Sequence, residues 1–233
     1  MGAVTKVTDP NDHVVLNTYD DHGNLLTSTD ALNRSVKATY NQFDLPLTVT
    51  DADQVTTTYT YDGAGNLKTL STPLRGTAQV RQSVLSYDPA RPGDVVSVTD
   101  PKGKAWARAY DTYGNVVSET DPLGNKTLYG YDAAKGWMTS AVSPRGAAAG
   151  VAPGCTPPAL GCARFSYDAG GHLTVATDAN NNSSTRHHDV EGNVDYEIDA
   201  KDNRTEFSYD AAGQAVATKR ADGTELKTTY WPD

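Results

Sequence analysis

The 233-residue chain has 37% hydrophobic residues, with three Phe and two Met against thirteen Tyr and twenty Gly, a mixture suited to strands and turns and poor in helix-interior residues. A net charge of −9 argues against a nucleic-acid partner, and no run approaches 18 uninterrupted apolar residues, so no membrane insertion is expected. Two cysteines are too few for a four-ligand zinc site at recognisable spacing.

The chain opens on "MGAVTKVTDP", which lacks the apolar stretch of a signal peptide. Met1-Gly2 directly before a repeat-like "VTDP" reads as the start of a segment cut from a much longer chain. Equivalent starts then fall at Tyr19, Tyr40, Tyr61, Tyr87, Tyr110, Tyr131, Tyr167, His188, Tyr209 and Tyr230, and six of the nine intervals are 21 residues. The other three, of 26, 23 and 36 residues, are longer, as insertions into a fixed frame would make them. Asp usually follows the start, and Gly comes three residues later, often with Asn behind it, as in "YDDHGNLL", "YDGAGNLK" and "YDTYGNVV". A second corner follows in "STDALN", "VTDADQ", "VTDPKG", "ETDPLG" and "ATDANN".

Asp at the first position of a type I turn accepts hydrogen bonds from the turn's own amides. Pro suits the second position, and Gly or Asn supplies the left-handed residue that closes a hairpin with a bulge. Between corners lie segments of roughly six residues, such as "NVVSET" and "KTLYGY", each making a strand of about 20 Å. Strand, turn, strand, turn is therefore the unit, and nine units imply about eighteen strands. The expected fold is all-β: a single array over 1–233, a repetitive antiparallel β-meander forming a long curved sheet, spiral or partial β shell. Corner positions absorb 15 of the 29 acidic residues, leaving 14 against 20 basic ones, so the acidity is turn chemistry and not a binding signal.

Departures from the frame are the places to look for sites. Trp106, Trp137 and Trp231 break the pattern and are candidate glycan contacts, set against the commoner role of packing on neighbouring strands. The repeat tyrosines face the same choice, and packing is the stronger expectation. Residues 143–163, rich in Pro, Gly and Ala, read as an inserted loop. Within it a Cys155–Cys162 disulfide would close a loop of about eight residues, stabilise by roughly 2–3 kcal/mol and imply an oxidising setting. "DANNNSSTRHHD" begins like a calcium loop at Asp178, Asn180 and Asn182. It then has Ser183 where glycine is expected and Asp189 where a bidentate Glu is expected, so an ordinary corner is the better reading. His187 and His188 are neighbours on one strand and point to opposite faces, which prevents them from sharing a zinc. No nucleophile elbow, phosphate loop or paired catalytic carboxylates stand out, so no catalytic, cofactor-binding or metal-binding residue is assigned.

The pattern "YDxxGNLxxxTDxxGxxxxYxYD", met most closely in "YDTYGNVVSETDPLGNKTLYGYD", resembles the YD repeat of bacterial Rhs proteins, of Tc toxin C components and of teneurins. It covers essentially the whole chain; "YNQFDLPLTVTD" at Tyr40 and the His at 188 are its local departures. The resemblance implies a hollow β shell that encloses a C-terminal toxin domain or is displayed at the cell surface. The family's shell-closing sequence, self-cleaving site and variable tip do not occur here, so this segment would be wall. Its partners would be the rest of the parent polypeptide, with further YD repeats and an enclosed toxin. The expectation is a non-catalytic, secreted or surface-exposed structural segment; the alternative is a carbohydrate- or protein-binding adhesion module, and a polysaccharide-cleaving enzyme ranks last.

Overall fold

The computed structural model describes residues 4–230. Its first compact unit is Met1–Ala107 and its second Arg108–Asp233. The first contains β1 (Lys6–Thr8), β2 (Val14–Tyr19), β3 (Leu25–Thr29), β4 (Ser35–Tyr40), β5 (Pro46–Thr50), β6 (Thr56–Tyr61), β7 (Leu67–Pro73), β8 (Val80–Asp88) and β9 (Arg91–Thr99). β10 (Ala105–Tyr110) begins in the first unit and ends in the second. The second continues with β11 (Val116–Thr120), β12 (Lys126–Tyr131), β13 (Met138–Val142), a short helix α1 (Pro144–Ala148), β14 (Cys162–Tyr167), β15 (Leu173–Thr177) and β16 (Ser183–His188). β17 (Val194–Ile198), β18 (Arg204–Tyr209), β19 (Ala215–Lys219) and β20 (Glu225–Lys227) complete it. The described pairings are antiparallel and join strands adjacent in sequence, which makes the fold an all-β meander.

Corner chemistry explains why these residues turn where they do. At the first corner Asp20 Oδ1 accepts from the amides of His22 (3.0 Å) and Asn24 (2.8 Å). Asn24 Nδ2 donates to Asp20 Oδ2 at 3.0 Å. The Gly23 amide closes the turn onto Asp20 O, with Gly23 at φ +90°, a conformation a side chain would strain. The second corner repeats the scheme with Asp30 and Arg34, placing Asn33 at φ +59°. Where the motif fails the geometry survives: Asn41 Oδ1 accepts from Phe43 and Leu45, and Asp44 takes the left-handed position.

The two ends of a hairpin differ in register. Partnering slips by one residue beside the repeat start, at Thr18/Tyr19, Thr39/Tyr40, Thr60/Tyr61 and again through the second unit at Gly130/Tyr131, Ser166/Tyr167, His187/His188 and Ser208/Tyr209. The register is unbroken at the opposite corner, as from β3 to β4. A bulge bends its strand and adds twist, so each of these hairpins receives that increment at the same end. Beside three of these bulges hydroxyls pair across the strands: Thr18 with Thr27, Thr39 with Thr48 and Thr60 with Thr69, at 2.6–2.7 Å.

Little is buried. Among the described residues only Val142, Cys162, Ser140, Ser118 and Gly146 fall in the buried class. Backbone ladders and half-buried side chains therefore carry most of the fold, and among the described residues the closed core lies around β13.

Candidate functional site

The repeat tyrosines have a more definite task than packing. Eight hydroxyls donate to a main-chain carbonyl of the preceding hairpin: Tyr19 to Val4, Tyr40 to Leu25, Tyr61 to Pro46, Tyr87 to Leu67, Tyr131 to Val116, Tyr167 to Met138, Tyr209 to Val194 and Tyr230 to Ala215, at 2.8–3.0 Å. The acceptor is usually the first residue of the strand that leaves the earlier corner, 15 positions back. Each tyrosine is thus a bolt from one hairpin to the one before it. Removing its hydroxyl leaves a carbonyl short of one partner, a loss of about 1 kcal/mol.

Residues 143–163, read from sequence as a loop, contain one helical turn and fold back over β12 and β13. Pro144 starts α1, where its missing N–H costs nothing. The Ser143 amide donates to Gly161 O and the Gly154 amide to Ser140 Oγ, each at 2.8 Å. Glycine is required at two contact points. A Cβ on Gly130 would lie 2.5 Å from Ser140 Oγ and 3.1 Å from Pro153 Cβ. One on Gly146 would strike Leu160 O and sit 2.9 Å from Val142 Cγ1. Cys155 and Cys162 are bonded, Cys162 is fully buried, and Arg164 Nη1 reaches the carbonyls of Gly154 and Cys155 at 3.3 Å.

The tryptophans are scattered. Trp106 lies on β10 opposite Val98, 47% exposed. Trp137 is occupied: Lys135 Nζ sits 4.1 Å from its ring centre and the Tyr167 ring lies against it, tilted by 42° at 5.3 Å. Trp231 lies outside the described residues. Asp178 serves as a corner, accepting from the amides of Asn180 and Asn182 and from Asn182 Nδ2.

His187 and His188 do diverge. His187 stacks on Tyr196 at 4.9 Å and bonds Asp195 at 2.7 Å, with Arg204 3.8 Å from the Tyr196 ring centre. His188 stacks instead on His172, with centroids 4.9 Å apart and planes at 28°. His172 Nδ1 bonds Asp168 Oδ2 at 3.0 Å, while His188 Nδ1 is buried without a hydrogen-bond partner. Asp168, His172 and His188 each bring one potential ligand atom within 4.8 Å of the others. The sequence marks His188 as a repeat start in place of Tyr and as the neighbour of His187, and does not single out His172. Comparing equivalent positions of successive repeats would have found the pair.

Elsewhere the corner carboxylates are tied up in turns. Donation from the Asn four residues on, first from its side chain, holds Asp20, Asp121, Asp178 and Asp199 below the ordinary carboxylate range.

Bulged hairpins bolted in series define a β-repeat protein. The RHS Repeat family model matches residues 19–56, 40–77, 93–126 and 110–148, and the chain belongs to the Rhs/YD-repeat family. No curated protein matches it. Among solved structures it is similar to TcdB2–TccC3 without the hypervariable C-terminal region, at TM-score 0.65 and 17% identity over 97% of this chain and 14% of that one. The Photorhabdus luminescens Tc holotoxin pore with a TccC3 mutation gives 0.63 and 16% over 97% and 14%. The complex TcdB2–TccC3–Cdc42 gives 0.62 and 15% over 92% and 13%. The chain spans about one seventh of the length of these chains, and the likeness is one of fold.

Proposed function

We propose that this segment is wall: a non-catalytic stretch of an exported Rhs-type shell whose parent encloses a C-terminal toxin domain. The observation that carries this reading is the series of tyrosine bolts combined with a bulge at the same end of eight hairpins. Bolts make successive hairpins a continuous sheet, and repeated one-sided bulges favour curvature. The fold likeness to TcdB2–TccC3 chains agrees with it. The Cys155–Cys162 bond suits an oxidising, extracytoplasmic setting. Repeat carboxylates committed to turn amides leave little free chemistry for catalysis.

Limited proteolysis of the full-length parent protein tests the reading. The polypeptide downstream of the repeats is expected to resist cleavage in the intact protein and to be cut rapidly when expressed alone. Equal cleavage rates in the two settings would refute containment.

A further inference from the structure

Pairs of positions 16 residues apart recur through the repeats, among them Asn24/Tyr40, Asn115/Tyr131, His172/His188 and Asn193/Tyr209. In the three Asn/Tyr pairs the Asn side chain braces its corner aspartate. The tyrosine bolts onto the strand that leaves that corner. At His172/His188 both members are changed, and both have become histidine.

The exchange leaves a deficit that a second histidine does not mend. His172 still braces Asp168 through Nδ1, but His188 is too short to act as the bolt and its buried Nδ1 has no partner. We propose that Asp168, His172 and His188 form a site for a divalent transition-metal ion of the zinc type, a staple replacing the missing tyrosine bolt. Two imidazoles and a carboxylate are a donor set that zinc accepts, and the fourth position would be left to water. Asp168 Oδ1 is fixed by the amides of Gly170 and His172, so Oδ2 is the oxygen that faces the rings.

The surroundings suit a site that assembles by small movements. Donors around a tetrahedral zinc lie about 3.4 Å apart, so three atoms within 4.8 Å must close by roughly an ångström. Asp168 and His172 side chains are 35% and 43% exposed, which leaves them free to do so and open to an entering ion. Flanking corners lack side chains where the rings lie. A Cβ on Gly192 would be 3.0 Å from His172 Nε2, and one on Gly171 would be 3.0 Å from Trp137 Cζ2.

Residues native to the frame supply the test. His172→Asn and His188→Tyr restore what other repeats carry, so both variants and the double variant are expected to fold. The metal-stripped 233-residue chain is titrated with zinc chloride by calorimetry, and its melting is followed with and without zinc. Wild type should take up one equivalent and melt higher with zinc. Each single variant loses a direct ligand and should bind at least about 100-fold more weakly, the upper end of what loss of an outer-shell partner alone costs, and the double variant should lose that equivalent. His13, His22 and His187 remain in every variant and report adventitious uptake. Absence of a saturable equivalent in wild type, or uptake unchanged in the double variant, would overturn the proposal.

Discussion

The hairpins from β2 to β7 and the segment from β12 to β14 are built from the same repeat, yet they are held together differently. In the first region every strand is half-exposed, with Val36, Leu16 and Leu47 among the exposed residues. Its cohesion comes from ladders, Thr–Thr pairs and the bolts of Tyr40 and Tyr61. In the second region an insertion closes over the sheet, burying Val142, Cys162 and Ser140 completely. Redundant small contacts tolerate the loss of one member, whereas a core of three residues does not. The frame can therefore absorb insertions and exchanged residues at its corners, provided each new piece secures itself.

The largest expected effect lies in that core. Val142→Asp places an unpaired carboxylate where nothing is exposed, and the cost should be about 4 kcal/mol. Hydrogen exchange should show β12 to β14 losing protection while β2 to β7 keep theirs. Loss of protection throughout both regions would show that the comparison is mistaken.

Tyr61→Phe probes the other region and should cost about 1 kcal/mol, because it removes only the bond to Pro46 O while the ring remains. Its effect on denaturant midpoint should be close to that of Tyr40→Phe, whose bolt also reaches 15 residues back, to Leu25 O, at 3.0 Å against 2.8 Å. Unequal costs would mean that neighbouring bolts are not equivalent units.

The 21-residue period was legible because turn chemistry is local: Asp, Gly and Asn announce a corner without help from the rest of the chain. The Tyr phase followed from the period, and the opposed faces of His187 and His188 from strand alternation. The carbonyl each tyrosine meets was not legible, since it belongs to another hairpin and any residue type supplies one. The insertion's helix was hidden by Pro and Gly, which read as loop; its folding back depends on Gly130 and Gly146 leaving room, a tertiary fact. The His172–His188 pair was hidden because its members belong to different corners. Only the register of β14, β15 and β16 brings them together.

The smallest effect tests the corners common to both regions, and its sign follows from linkage. Asp121 accepts from the amides of Leu123 and Asn125 and from Asn125 Nδ2. These bonds, the side-chain one first, hold its carboxyl below the ordinary value of 3.8. A depressed carboxylate contributes stability that is complete above 3.8 and is lost as pH falls through the lower, folded value. Asn125→Ala removes the largest cause, so the Asp121 carboxyl should titrate nearer 3.8, a shift that NMR follows directly. The variant should melt slightly below wild type at about pH 7, and the gap should close as the solution is acidified past that range. A gap that persists unchanged at low pH would mean that Asn125 supports the corner by shape alone and that the charge on Asp121 is incidental to the turn.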